Sequence, residues 1–373
     1  MQTVTADVAI IGAGIVGSSA ALFLRQHGRS VVLVDADQPG AKASGVNYGG
    51  VRRQGRPLEQ LPLSQRAHAL WGRIHELIGI DGEYVRSGHV KFARTESDMA
   101  SLQAYYERTK NFGLGLILMT PAQLRQRYPW LGPSVAGASL CPEDGHANPR
   151  LVSPAFARAA ARLGATVKER TRVLRVEHAN GRFLLTCDDG SQICSEILLN
   201  CAGAWAAQIA LQFGEGVPET AIHPVMAVTE PVPHFLDVNI GMEGGGIYMR
   251  QVARGNCVMG GARGAASDDQ FARPVTHAVS EIARRAVELI PGLANAQIIR
   301  CWSGYEGSFP DHNPVIGPSR TVSGLFHGFG FSGAGFQIGP AAGEALAELV
   351  TKGQASVSLD AFRVNRFERE AQP

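Results

Sequence analysis

Three short segments set the frame of the chain. Residues 7–11 (DVAII) are β-rich with little polar alternation, which reads as a strand buried on both faces. Residues 14–27 follow with helical spacing of apolar positions, and Gly28 is the stop. Residues 30–35 (SVVLVD) form a second buried run. The order is β-α-β, and parallel pairing is the short way to close it. Residues 36–56 are Gly-rich and irregular.

Helical spacing returns over 61–78, 97–112, 120–128 and 150–163, and a strand is expected over 88–93. The run 143–149 (EDGHANP) reads as a loop. Strands are then expected over 171–178, 182–187 and 193–199, with turns at Asn180-Gly181 and Asp189-Gly190. The first of these turns is a hairpin signal. Beyond residue 221 the pattern changes to short strands at 222–230, 246–250 and 257–261, then a helix over 275–289. A strand at 324–331, a Gly-rich loop and a helix over 339–349 end the pattern.

The expectation is an α/β chain with two lobes, since 373 residues exceed one average domain. One lobe, from residues 1–85, 145–220 and 300–373, carries the parallel sheet. The other, from 86–144 and 221–299, carries a mainly antiparallel sheet. With 45% hydrophobic and 18% charged residues, the chain has enough apolar surface for a large core and is not a disordered sequence.

The 35 basic residues against 33 acidic ones give a net charge of +2, which provides no electrostatic footprint for nucleic acid. No stretch of about 18 apolar residues is present, and residues 1–7 carry no Lys or Arg of the kind a secretory signal needs. A cytoplasmic location is expected, with peripheral contact at the inner membrane face as the alternative. The six cysteines form no C-x-x-C pair and read as buried reduced thiols; no metal-ligand set is expected.

The sharpest motif is Gly12-Ala13-Gly14-Ile15-Val16-Gly17, a G-x-G-x-x-G between a strand and a helix, with Asp35 at the tip of the next strand. Gly12 permits the tight turn, Gly14 lets backbone approach a pyrophosphate, and Gly17 allows close helix–strand packing. The helix N-terminus offers free N–H groups to the anion, and Asp35 offers an acceptor to a ribose hydroxyl. This is a dinucleotide site. The small-residue loop after Asp35, with Ala36, Ser44, Asn47, Gly49 and Gly50, suits an extended FAD better than a nicotinamide cofactor. So do residues 197–203 (ILLNCAG), with Ala202 and Gly203, and residues 327–335 (HGFGFSGAG), with Gly330, Phe331, Ser332, Gly333 and Gly335.

The order of these motifs resembles the FAD-dependent D-amino acid oxidase superfamily, in its branch of glycine oxidase, monomeric sarcosine oxidase, the sarcosine oxidase β subunit and D-hydroxyproline dehydrogenases. The similarity runs from about Ala6 to about Val350, through GAGIVG with Asp35, SGVNYGGVRRQ, DGHANP, NCAGAWA and PDHNPVIG…GFGFSGAGFQIGPAAG. It implies an FAD-binding domain of the glutathione-reductase type beside a substrate domain with an antiparallel sheet. It also adds Val173, Gly304, Phe336 and Gln337 to the residues expected near FAD. The implied reaction takes hydride from an amine-bearing carbon, with the flavin as electron sink.

Three departures from the family pattern shape the functional expectation. A tethering cysteine would lie seven residues before Asp311, where Gly304 stands, so FAD is expected to be non-covalent. The lysine that promotes reaction with O₂ in sarcosine oxidases is replaced by Val258. The arginine that holds the substrate carboxylate in glycine oxidase is replaced by Glu306.

The resemblance therefore points to a dehydrogenase of a D-amino or cyclic imino acid such as D-proline or hydroxyproline. Its electrons would pass to a quinone, a dye or a partner flavoprotein. The alternatives are a glycine or sarcosine oxidase releasing H₂O₂, and a flavin-bearing subunit active only in a hetero-oligomer; a homo-oligomer is also open. Tyr248 and Arg250 share one face of an expected strand and are candidates for substrate contact. Arg52 and Arg53 are candidates for the carboxylate or the flavin, and His312 is a candidate near the flavin.

Overall fold

The computed structural model describes residues 3–371; residues 1, 2, 372 and 373 of the expected division lie outside them. Strand β1 (Thr3–Ile11) sits mid-sheet, flanked in parallel by β2 (Val31–Val34) and by Gln192–Asn200. Its last four residues, Val8 to Ile11, are all buried, as a strand covered on both faces requires. The sheet runs Val315–Pro318, Leu325–Phe329, Gln192–Asn200, β1, β2 and Thr166–Lys168, with only the first pair antiparallel. A hairpin, Val173–Ala179 with Arg182–Cys187, is added along Gln192–Asn200. Its Asn180 and Gly181 take φ of +51° and +72°, as a two-residue turn between twisted strands demands.

Helix α1 (Ile15–Gln26) returns the chain from β1 to β2. It packs on Pro149–Arg162 and on the C-terminal helix Gly335–Lys352. That C-terminal helix begins at Gly335, one turn before the expected start at residue 339. The helix expected over 61–78 is two pieces, Leu61–Trp71 and Ile74–Ile78, broken at Gly72-Arg73.

The second large sheet has the order Ile298–Ser303, Pro224–Pro231, Asn256–Arg263, Tyr248–Gln251, Asn239–Met242, His89–Ala93, Gly137–Cys141, Ile117–Met119. Every pairing in it is antiparallel except Asn239–Met242 with His89–Ala93. Helix Thr276–Leu289 covers one face through Ala278, Ile282, Ala286 and Leu289. Strands of the two sheets alternate along the chain. A two-residue pairing of Gly50–Val51 with Gly145–His146 lies where the segments cross. Among the described residues, no helix is long and apolar enough to cross a membrane.

Candidate functional site

At the end of β1 the chain turns at Gly12, whose φ is +100°, and a Cβ there would overlap the Cys201 carbonyl. Gly14 caps α1 in extended geometry, and the Ile15 N–H donates to Ser44 Oγ at 2.9 Å. The N–H groups of Val16 and Gly17 belong to the first turn, where a helix provides no carbonyl partner.

Asp35 accepts from the Ala13 N–H at 2.6 Å and the Asp37 N–H at 2.8 Å. Burial pushes its carboxyl up, against the opposing pull of those two donors. Asp35→Ala is expected to weaken FAD retention roughly 10- to 150-fold, the equivalent of about 1.5–3 kcal/mol for hydrogen bonds to a charged group. Equilibrium dialysis of FAD checks this, and an unchanged affinity would remove Asp35 from the cofactor site.

A continuous cleft runs from this fingerprint along both sequence-expected segments. Its walls include Gly12, Gly14, Ile15, Val16, Asp35, Ala36, Ser44, Asn47 and Gly50. Val173, Ala202, Gly203, Gly330, Phe331, Gly333, Gly335 and Phe336 line it as well. The residues fit FAD. A Cβ at Gly203 would meet nothing within 4 Å, and one at Gly333 only Glu306 Oε1 at 3.8 Å, so backbone faces the open space at both places. The lining combines Asp35 and the α1 N-terminus with the aromatic rings of Tyr48, Trp205, Tyr305, Phe331 and Phe336.

Other expected cofactor residues are placed elsewhere. Gly17 faces the strand, where a Cβ would overlap the Gly12 carbonyl oxygen. Gly49 makes a turn, with φ of +92° and its N–H bonded to Asn47 Oδ1. Gly304 donates to the Pro224 carbonyl at 2.9 Å and packs on Val46. Ser332 accepts from the Phe309 N–H at 3.0 Å and lines a second cavity. Gln337 is fully buried between helices, bonded to the Ser64 hydroxyl and carbonyl at 2.7 and 2.8 Å.

The substrate candidates also separate. Arg53 is turned away from the cleft into a buried ion pair with Asp144, Nε to Oδ1 3.0 Å, and donates to Gln65. Arg250 donates to the Tyr48 carbonyl and lines neither cavity; burial pulls its guanidinium down to about 10. It secures the 47–50 loop and holds the buried His146 imidazole well down, to about 3, after burial itself. Tyr248 packs at a 41° tilt on Tyr48 with ring centroids 4.4 Å apart, and only Tyr48 reaches the cleft wall. His312, at φ of +59°, lines the second cavity and gives its carbonyl to Gln60. Arg52 lines that cavity too.

Glu306 lies on the cleft wall and accepts from the Gly333 N–H. Burial pushes its carboxyl up. Sequence reasoning missed the wall of Arg172, Leu174 and Val176. It also missed the stacked pair Trp205 and Tyr305, with centroids 5.0 Å apart, and Gln270. Nothing in these segments singles them out; only the hairpin's position against Gln192–Asn200 brings residues 172–176 to the cleft.

Residues 7–349 match the family described as FAD dependent oxidoreductase. The chain belongs to that family. As a member of the FAD dependent oxidoreductase family it takes FAD, and the cleft is where its residues would hold it. It is 28% identical over 373 residues to glycine oxidase of Geobacillus kaustophilus (strain HTA426), covering 96% of this chain and 97% of that one. It is 27% identical to 4-methylaminobutanoate oxidase (formaldehyde-forming) of Paenarthrobacter nicotinovorans, covering 96% of this chain and 45% of that one. The structure of L-proline dehydrogenase from P. horikoshii superposes with a TM-score of 0.91, at 26% identity and over 100% of both chains. The chain is thus an FAD-dependent oxidoreductase.

Proposed function

We propose that this enzyme is a dehydrogenase of an α-amino or cyclic α-imino acid of the proline type, passing its electrons to an acceptor other than O₂. The observation that carries this reading is Val258. It stands in Asn256–Arg263 opposite Arg250, where the resemblance places the lysine that promotes reaction with O₂ in sarcosine oxidases. Among the described residues, the one lysine on the cleft wall is Lys42, in the loop that follows Asp35. The full-length likeness to a proline dehydrogenase supports a cyclic imino acid.

Bound FAD supplies the two-electron acceptor. The chain supplies the rest. The α1 N-terminus would hold the anionic part of the cofactor, Gly203 and Gly333 would let backbone approach it, and Phe331 and Phe336 would help to exclude water from the cleft.

The test is a screen of amino and imino acids, both enantiomers of each, by anaerobic bleaching of the holoenzyme, followed by turnover in air and with an artificial dye. Bleaching by proline or hydroxyproline, turnover with dye and little H₂O₂ are expected. Stoichiometric peroxide would overturn the dehydrogenase reading in favour of an oxidase. A holoenzyme bleached by no amino or imino acid would overturn the substrate class.

FAD is expected to leave the chain fully on acid or heat denaturation. Cys201, the one cysteine on the cleft wall, is packed against Gly17 and Gly328, and burial pushes its thiol up to about 12, so it offers no thiolate. Yellow colour that stays with the precipitated chain would contradict this.

A further inference from the structure

A hairpin leaves the antiparallel sheet after Asn256–Arg263 and crosses to the nucleotide lobe. Its legs, Ala265–Ala266 and Ala272–Arg273, pair antiparallel. Its tip is a turn built from its own atoms. Asp268 Oδ1 accepts from the Gln270 and Phe271 N–H groups, both at 2.8 Å, and the Ser267 N–H donates to the Phe271 carbonyl at 2.8 Å. Residues 266–269 are exposed, and Phe271 is 54% exposed, so no core holds the tip in place.

The tip instead meets both walls of the FAD cleft. On one wall Trp205 Nε1 donates to the Asp269 carbonyl at 2.7 Å. On the other, Lys42 Nζ sits over the Phe271 ring, 3.8 Å from its centroid, while also pairing with Asp37 at 3.3 Å. Gln270, between these two tip residues in sequence, lines the cleft itself. Lys42 belongs to the loop after Asp35, and Trp205 follows Gly203, so one hairpin tip joins two walls that are far apart in sequence.

The two contacts differ in kind. The Gly264 N–H at the root donates to the His223 carbonyl at 2.7 Å, and the His223 ring packs edge-on against Tyr305, with centroids 4.7 Å apart. Tyr305 in turn stacks on Trp205. The root and the Trp205 contact therefore share one support. The Lys42–Phe271 contact lies at the free end and is an exposed cation–ring pair, the weaker class of that interaction.

We propose that residues 264–273 form a strap over the FAD cleft, hinged on the Trp205–Tyr305 side and latched by Lys42 on Phe271, and that FAD enters and leaves when the latch opens. The latch sets the rate of cofactor exchange and leaves the affinity nearly unchanged, because Phe271 packs on Lys42 and is not a residue of the cleft wall. FAD exchange is thereby tied to a segment of the antiparallel lobe. The inference does not depend on the reaction proposed above.

The experiment compares the FAD-loaded enzyme with three variants. Phe271→Ala removes the latch, and Phe271→Trp gives the cation a better ring. In the third, an Asn-Gly turn replaces residues 266–271 and joins the legs directly. The dissociation rate is read from exchange of bound FAD against excess radiolabelled FAD, the Kd from equilibrium dialysis, and the association rate from their ratio. Phe271→Ala is expected to raise both rates about two- to fivefold, as loss of an exposed cation–ring contact allows, with Kd within about twofold of wild type. Phe271→Trp should slow both rates. Excision should raise both on the order of tenfold.

Rates within about 1.5-fold of wild type in Phe271→Ala overturn the proposal, whatever the excision does. A faster dissociation with an unchanged association rate overturns it as well, because the tip would then be a wall that touches FAD and no gate. If the excised chain does not fold, the two substitutions at the exposed Phe271 decide the matter alone.

Discussion

Gly17→Val is expected to give a chain that emerges from purification almost free of FAD. A Cβ at Gly17 would overlap the Gly12 carbonyl oxygen and come within 3.2 Å of Cys201 Cβ. Valine adds two more carbons to that overlap. The other side of α1 cannot give way: Gly339 of the C-terminal helix packs on Ile15, and a Cβ at Gly343 would overlap Ser19. The helix must tilt off β1, moving the first-turn N–H groups that face the cofactor. Overpacking of this kind costs about 1–3 kcal/mol in stability. Losing two hydrogen bonds to a charged group costs about 3–6 kcal/mol in binding, or roughly 10²- to 10⁴-fold. The flavin-to-protein absorbance ratio after gel filtration measures it, and Gly17→Ala should fall between valine and wild type. Full FAD content in the valine variant would mean that α1 is not the anchor of the cofactor.

Asp144→Ala is expected to lower stability by about 3–5 kcal/mol, because it strands a buried arginine. Asp144 is fully buried and accepts from the Arg53 N–H at 2.9 Å, the Gln54 N–H at 3.0 Å and Arg53 Nε at 3.0 Å. One carboxylate therefore holds the backbone that leads from the cleft loop to Arg56. Urea denaturation at fixed excess FAD gives the number. The double variant Asp144→Ala/Arg53→Met should be more stable than Asp144→Ala alone, since it removes the uncompensated charge. If the second change costs further stability instead, the loss comes from the two backbone donors and not from Arg53.

Much of the nucleotide half was legible because its signals are local. Buried β runs at residues 7–11 and 30–35 have no other reading at that length, and the glycine spacing between them serves a turn and a helix start. The antiparallel half was less so. Gly137–Cys141 is wholly buried, yet its sequence, GASLC, has too little bulk to stand out. Asn239–Met242 begins at a buried asparagine whose amide donates to the Gly145 carbonyl. In Ile298–Ser303 every residue is at least partly exposed, so no apolar face marks the strand.

The arginines show the limit most plainly. Arg52, Arg53, Arg56 and Arg250 look alike along the chain. What separates them is a partner far away in sequence: Asp144 for Arg53, the Tyr48 carbonyl for Arg250 and, among the described residues, no carboxylate for Arg56. Gln337 shows the same limit, since its position in a Gly-rich motif hides that its amide faces Ser64 rather than the cleft.

The interleaving of the two sheets along the chain also bears on how the protein comes into being. The fingerprint strand is made well before Leu325–Phe329, which pairs beside Gln192–Asn200. At synthesis rates of about 5–20 residues per second, Gln192–Asn200 waits on the order of ten seconds for that partner. Until then the edge at Leu198–Asn200 is open for pairing with another chain, and Gly330–Gly335 has not yet been made. The cleft that would hold FAD is therefore complete only after residues 330–336 are made, and FAD capture is expected to follow that step.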